Sequence, residues 1–242
     1  KNFIFYSRKK INIKKNINIE YLDLNKNLSK LPKKANKIFF LASPRYLKKN
    51  FSKKKYLIEK KWLKKICKKT KSNTFIYFSS GSVYQKKHPI GLAKLQCEKF
   101  LKKNSNSDFL QIWRPFNILS NEYSNLSDHF HNILIKKFLI QKKRKHIFYG
   151  SKIDKRGYSS AINFCREVFK NSKIKKSFKC DYGNTNLISV DEIIKLFKDT
   201  VGISINYKFR SVKKNINVVV KKNNLNINSS ENSYKLLNKY YK

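Results

Sequence analysis

Three side chains suited to binding or acid/base chemistry lie in one stretch of the chain, between Thr74 and Ser120. Ser80 follows an apolar strand in T-F-I-Y-F-S-S-G-S-V-Y, and Lys94 lies near the start of the next helix, in G-L-A-K-L-Q-C-E-K-F. Asn117 follows a second strand, in F-L-Q-I-W-R-P-F-N. Hydroxyl and ammonium groups take part in proton transfer, and open α/β sheets bind ligands at the carboxyl ends of their strands. The stretch is therefore a candidate active site.

Apolar spacing predicts that strands and helices alternate through the first half of the chain. Short apolar runs predict strands, and apolar residues at helical spacing, with Lys on the opposite face, predict a helix between Lys53 and Lys69. This alternation predicts β-α-β units and a doubly wound parallel sheet. The predicted strands are Asn2–Ser7, Ile19–Leu24, Lys37–Ala42, Phe75–Ser79 and Phe109–Trp113.

The second half predicts a smaller, mixed region. Helices are expected at Ser127–Gln141 and Ser159–Lys170, with a brief strand at Ile147–Tyr149. Ser189-Val190-Asp191-Glu192 matches a capping box, and Gly202 is a natural helix C-cap, so a third helix is expected between them. The run Val218–Val220 is the one apolar segment in the Asn/Lys-rich tract that follows.

The order of these motifs resembles the extended short-chain dehydrogenase/reductases, the NAD-dependent epimerases and dehydratases of nucleotide sugars. The resemblance is strongest from Lys37 to Ser120. It implies a Rossmann-like NAD(P)-binding domain over residues 1–120 and a smaller substrate-binding region over residues 121–242. It further implies a nucleotide-activated sugar as substrate, NAD or NADP as cofactor, and a possible homodimer.

The resemblance also implies roles for particular residues. Ser80 matches the Ser/Thr that binds the substrate hydroxyl, and Lys94 matches the Lys that holds the nicotinamide ribose and lowers the pKa of a catalytic Tyr. Asn117 and Arg156 match substrate-binding positions, Arg156 through a guanidinium suited to a diphosphate. The positions matching cofactor contacts are Asp23, Leu41, Ala42, Lys94 and Pro115.

Two features depart from the family pattern. The catalytic Tyr is expected four residues before the Lys, and Ile90 stands there instead, with no proton to transfer. The first glycine of the chain is Gly81, so no glycine-rich phosphate loop precedes the predicted sheet, and a first β-α unit of roughly 30 residues is expected to be missing from this sequence. Both departures predict a catalytically impaired member of the family, and Tyr84, in the Val-Tyr turn, is not expected to replace the catalytic Tyr.

The net charge of +43 permits a different class of function. Such a surface attracts any polyanion at low salt, so a non-catalytic RNA-binding protein on the same scaffold is an alternative. An atypical branch of the superfamily, which includes chloroplast stem-loop RNA-binding proteins, shows that this use of the scaffold is possible. However, Lys, Asn and Ile together fill 104 of 242 positions, as an A/T-rich genome would produce, and arginines are few. An inactive truncated copy is a third alternative.

Other kinds of site are not predicted. The four scattered cysteines form no C-x-x-C pair, and His129 and His131 are two residues apart and face different ways on a helix, so no metal site is expected. No apolar run reaches transmembrane length and Lys1-Asn2-Phe3 opens no signal peptide, so a cytoplasmic protein is expected. The tract Lys142-Lys143-Arg144-Lys145-His146 is either a solvated loop or a contact for RNA or phosphate. Arg8 lies where the family distinguishes NAD from NADP, but it does not decide between them.

Overall fold

The computed structural model describes residues 4–7, 18–26, 28–44, 53–85, 88–119, 130–210, 229 and 231–241. The predicted alternation of strands and helices is confirmed. The strands are β1 (Ile4–Ser7), β2 (Asn18–Tyr21), β3 (Lys34–Phe40), β4 (Lys71–Phe78), β5 (Ser107–Pro115), β6 (Ile118–Leu119), β7 (Lys145–Tyr149), β8 (Lys155–Gly157), β9 (Ser159–Ser160), β10 (Phe178–Tyr182), β11 (Leu187–Ser189) and β12 (Asn206–Arg210). The α-helices are α1 (Lys53–Lys69), α2 (Pro89–Asn104), α3 (Phe130–Leu134), α4 (Ala161–Asn171), α5 (Val190–Val201) and α6 (Ser233–Tyr241).

Two shorter helical segments complete the described elements. Gly81–Tyr84 forms a 3-10 helix and Ile135–Ile140 forms a π-helix that continues α3. The helix predicted at Ser127–Gln141 is therefore an α-helix followed by a π-helix in its described part. Arg8, His129 and the Val218–Val220 run lie outside the described residues.

The chain divides into two compact units. The first unit contains residues 1–79, 86–112 and 175–178, and the second contains residues 80–85, 113–174 and 179–242. Strands β5 and β10 contribute residues to both units.

The first unit contains parallel strand pairs. One sheet has the strand order β10-β5-β4-β3, in which β3 pairs in parallel with β4, and β1 pairs in parallel with β2 in a separate two-stranded sheet. Phe75, Ile76 and Tyr77 of β4 are all buried, as expected for a strand covered on both faces. This is the Rossmann-like α/β architecture that the sequence predicts.

The helices of the first unit bury apolar stripes in one core. Trp62, Leu63 and Ile66 of α1 occupy that core together with Cys97 and Leu101 of α2. From residue 57 onward, where burial is described, all lysines of α1 except the half-buried Lys60 are exposed, which is the predicted amphipathic pattern.

The second unit is a mixed region with its own core. β7 pairs in parallel with β12, β6 pairs in parallel with β9, and β8 pairs antiparallel with β11. The predicted capping box opens α5: the Ser189 hydroxyl accepts a hydrogen bond from the Glu192 backbone amide, and the Glu192 carboxylate accepts one from the Ser189 amide. Gly202 ends the helix at φ 70°, a left-handed conformation that favours glycine.

Candidate active site

Lys94 is buried in a polar network inside the first unit. Its Nζ donates a hydrogen bond to Glu59 Oε1 at 2.7 Å and another to the Phe78 carbonyl, at the end of β4, at 2.9 Å. Its side chain is 7% exposed, and that of Glu59 is fully buried. The charge of Lys94 is therefore compensated by the buried carboxylate of Glu59.

Glu59 is the centre of this network. Its Oε1 also accepts a hydrogen bond from the Tyr77 hydroxyl at 2.9 Å, and its Oε2 accepts one from the Ser43 hydroxyl at 3.2 Å. Burial, together with the Glu59 charge, raises the pKa of Tyr77 well above its usual value and that of the Cys97 thiol to about 12. Near neutral pH these two groups are protonated and carry no charge. The ion pair of the network is the one between Lys94 and Glu59.

Glu59 is not among the site residues predicted from the sequence, although the sequence does carry a signal for it. It is the only acidic residue of α1, and it lies three and four residues before the buried Trp62 and Leu63. An acid on the apolar stripe of a helix needs a buried partner, because an isolated buried carboxylate is costly. The stripe alone could not identify Lys94 as that partner.

Ile90 lies in the first turn of α2, directly after Pro89 and one turn before Lys94. Its side chain is half-buried. Position 90 thus presents a hydrocarbon where the family pattern has an acid/base group, and the described structure contains no tyrosine in that place.

The two serines at the end of β4 belong to different units. Ser79 is buried in the first unit, where its hydroxyl donates to Glu98 Oε1 at 2.5 Å. Ser80, the predicted catalytic serine, belongs to the second unit and caps the 3-10 helix, since its Oγ accepts hydrogen bonds from the Ser82 amide at 3.2 Å and the Ser82 hydroxyl at 2.9 Å. The role of Ser80 toward a substrate stays a prediction.

Tyr84 is a structural residue in the second unit. Its hydroxyl donates to Asp181 Oδ2 at 2.6 Å and accepts from Arg114 Nη1 at 2.7 Å, and its ring stacks on Phe116. Burial and the hydrogen bond to Asp181 raise its pKa to about 12, despite the opposing effect of Arg114. A general base needs a pKa near the working pH, so Tyr84 is poorly suited to replace the missing tyrosine.

The second unit brings Asn117 and the segment of Arg156 together. Asn117 Nδ2 donates to the carbonyl of Gly157, the residue after Arg156, at 3.2 Å. Asn117 has a φ of 40°, a left-handed conformation that Asn tolerates better than most residues. Arg156 is half-buried with its guanidinium over the Phe130 ring, 5.5 Å from the centroid, and its Nε is a buried donor without a hydrogen-bond partner among the described residues.

The residues predicted to contact the cofactor lie in different surroundings. Leu41 directly follows β3, at the carboxyl end of that strand, and is 69% exposed. Ala42 is half-buried against the core of the first unit, and Asp23 Oδ1 accepts hydrogen bonds from Asn25 within the following turn. Pro115, assigned to the second unit, ends β5 and is half-buried.

Lys94 is predicted to hold the ribose at the nicotinamide end, and the described structure shows the protein groups that its ammonium contacts. Two of its three N–H donors bond to Glu59 and to the Phe78 carbonyl, and Ile90 lies one turn away. The roles of Lys94 and of the cofactor residues stay predictions.

No family model matches the sequence, and no curated protein matches it. The fold, however, is similar to that of solved epimerase structures. A UDP-glucuronic acid 4-epimerase from Bacillus cereus, solved with UDP-glucuronic acid and NAD, has a TM-score of 0.73 and 20% identity over 92% of this chain and 80% of that one. A UDP-N-acetylglucosamine 4-epimerase from Methanobrevibacter ruminantium M1, in complex with UDP-N-acetylmuramic acid, has a TM-score of 0.74 and 15% identity over 93% and 81%.

A third similar structure carries the other nicotinamide cofactor. RMD from Pseudomonas aeruginosa, complexed with NADPH, has a TM-score of 0.68 and 12% identity over 92% of this chain and 89% of that one. At these identities the likeness establishes the fold. It confirms the Rossmann-like architecture that the motif order predicts.

Membrane-spanning helices and metal-binding clusters are both absent from the part of the chain that the structure describes. Within it, no helix combines the length and the apolar character needed to cross a membrane. The same residues contain no group of three or more His, Cys, Asp or Glu side chains able to hold a metal ion. His131 is buried in the second unit between the rings of Tyr158 and Tyr240.

Proposed function

We propose that this chain is a nucleotide-sugar epimerase/dehydratase-like protein that binds a nucleotide-activated sugar but does not turn it over. The observation that carries the proposal is the buried Lys94–Glu59 pair at 2.7 Å, one turn from Ile90. Two features at one place, the absence of a proton donor at position 90 and the pairing of Lys94 with a carboxylate, affect the two groups on which this chemistry depends. Binding is retained in the proposal because Asn117 and Arg156 keep the types that recognise a sugar nucleotide.

Arg156 is the residue proposed to bind the diphosphate. The residue is half-buried, its Nε has no hydrogen-bond partner among the described residues, and a guanidinium fork matches two phosphate oxygens. The likeness to structures solved with UDP-sugars supports a UDP-sugar as the first ligand to test. NAD or NADP binding, a homodimer and a cytoplasmic location stay predictions.

We expect UDP-glucose to bind the wild-type chain in a calorimetric titration and to bind Arg156→Ala about 10- to 150-fold more weakly. That range corresponds to one lost hydrogen-bonded charge contact, about 1.5–3 kcal/mol. Arg166→Ala is the matched control, because Arg166 is an exposed arginine of the same unit whose contact is with its own helix neighbour Asn163.

Two outcomes would contradict the proposal. One is the absence of UDP-glucose, UDP-glucuronic acid and free UDP binding to the folded wild-type chain. The other is an equal loss of affinity in Arg156→Ala and Arg166→Ala, which would indicate a general effect of positive charge instead of a diphosphate site.

A further inference from the structure

Strands β7 and β12 of the second unit form a parallel pair with one solvent-exposed face. The register pairs Lys145 with Asn206, Ile147 with Lys208 and Tyr149 with Arg210. All six side chains are exposed, whereas the residues between them along both strands are buried or half-buried. We call this surface, formed by those six residues, the β7–β12 outer face.

The opposite face anchors the pair in the core. Phe148 lies among the rings of Phe138, Tyr207 and Phe209, at centroid distances of 5.8 to 6.2 Å. Backbone hydrogen bonds from Asn206 N to the Arg144 carbonyl and from Gly150 N to the Arg210 carbonyl extend the pairing at its ends. Because side chains alternate along a strand, this packing fixes the β7–β12 outer face toward solvent.

The outer face carries both apolar and cationic side chains. Tyr149 is 70% exposed and Ile147 is 49% exposed, and each is paired in register with a cationic residue. The turn before β7 adds Lys142, Lys143 and Arg144, and residues 141–149 and 206–210 include no Asp or Glu. One of the few arginines of the chain, Arg210, therefore lies on this face, and another, Arg144, directly precedes β7.

We propose that the β7–β12 outer face binds single-stranded nucleic acid. Tyr149 provides a ring on which an unpaired base stacks, and Arg210, Lys208 and Lys145 contact the phosphates around it. Stacking on an exposed aromatic residue within a cationic surface is how sequence-tolerant single-strand binding sites work. A duplex keeps its bases stacked on each other, so it gains only the charge contacts.

The aromatic residue separates this proposal from the general charge of the chain. Lys residues occur along the whole sequence, so any polyanion is attracted at low salt, and charge alone identifies no site. A stacking contribution from Tyr149 is local, does not depend on net charge and persists at physiological salt. The experiment therefore tests the contribution of the Tyr149 ring to binding.

The test measures binding of the full chain to a labelled single-stranded RNA of about ten nucleotides, within the range of such sites, by fluorescence anisotropy at physiological salt. We expect Tyr149→Ala to weaken binding about 5- to 150-fold, the loss of one stacked base, and Tyr149→Phe to bind like the wild type. Arg210→Ala should lower the slope of log affinity against log salt by about 1. Tyr234→Ala is the matched control, since Tyr234 is a tyrosine of the same unit that is 49% exposed.

The same variants are measured against the duplex of that RNA and against vesicles of anionic lipid. Duplex and vesicle binding should respond to Arg210→Ala and not to Tyr149→Ala. Tyr149→Ala binding the single strand as tightly as the wild type would overturn the proposal, as would an equal loss for single strand, duplex and vesicles. Tyr149 is mostly exposed, so a circular dichroism spectrum matching that of the wild type is expected and confirms that the variant is folded.

Discussion

Replacing Glu59 with Met is expected to destabilise the protein by about 3–5 kcal/mol, because the substitution leaves the Lys94 ammonium buried without its counter-charge. Methionine keeps most of the side-chain volume, so the loss reports the charge and not a cavity. We expect a loss of this size because both side chains are almost fully buried and Glu59 also accepts hydrogen bonds from Tyr77 and Ser43. Urea unfolding gives the free energy of unfolding of each variant.

The double variant Glu59→Met/Lys94→Met is the decisive control. Replacing a whole buried pair with apolar residues of similar volume is often neutral or stabilising, so we expect the double variant to regain much of the loss. The exposed pair between Lys195 and Asp191, at 3.0 Å, gives the other reference, and Lys195→Ala should cost about 0.5 kcal/mol or less. A double variant less stable than Glu59→Met would show that the two residues are not coupled as the structure indicates.

Replacing Gly157 with Ala is expected to cost about 3 kcal/mol, at the upper end of overpacking effects. A Cβ at this position would lie 2.1 Å from the backbone carbonyl oxygen of Asn184, so the backbone itself would have to move. Little movement is available, because β8 is paired with β11 and the buried Asn184 side chain donates hydrogen bonds to the carbonyls of Tyr158 and Glu231. Thermal or urea unfolding measures the effect.

Gly202→Ala is the matched control for Gly157→Ala. Gly202 has a φ of 70°, and a Cβ added to it would have no atom within 4 Å. Its substitution therefore causes no clash, and we expect a loss of stability of about 1–2 kcal/mol from the left-handed backbone conformation alone. Gly157→Ala should be the more damaging of the two, and should also weaken UDP-glucose binding through the Asn117 contact to the Gly157 carbonyl. The reverse order of stabilities would contradict the close approach of β8 to Asn184.

Local patterns in the sequence were sufficient to predict most of the architecture. The apolar run of β4, the amphipathic α1 and the capping box of α5 are set by neighbours a few residues apart, and each was confirmed. The prediction that Ile90 occupies the position of the catalytic Tyr rests on a local spacing too, that from Lys94, and stays a prediction. The ends of some elements differ from the prediction. The strand predicted at Ile19–Leu24 is β2 at Asn18–Tyr21, and Asp23 then begins a turn in which its own side chain accepts a hydrogen bond from the Asn25 amide.

What the sequence could not provide was the set of long-range polar partners. The match of Lys94 to a motif is a local property that the sequence shows, whereas its pairing with Glu59, 35 residues away, depends on how α1 packs against α2. Tyr84 and Asp181, 97 residues apart, are a similar case. In both, burial decides what a polar group does, and burial is a property of the assembled unit.

The measurement that most directly tests the account is hydride transfer by the wild-type chain. The protein is mixed with NAD or NADP and a UDP-sugar, and nicotinamide reduction is followed by absorbance while the sugar products are analysed for epimers. We expect no reduced nicotinamide and no epimer above the level of a folded Glu59→Met/Lys94→Met control, in conditions where UDP-glucose binding is measurable. Turnover by the wild type that this double variant abolishes would show that the Lys94–Glu59 pair takes part in catalysis, and the account given for this site would be wrong.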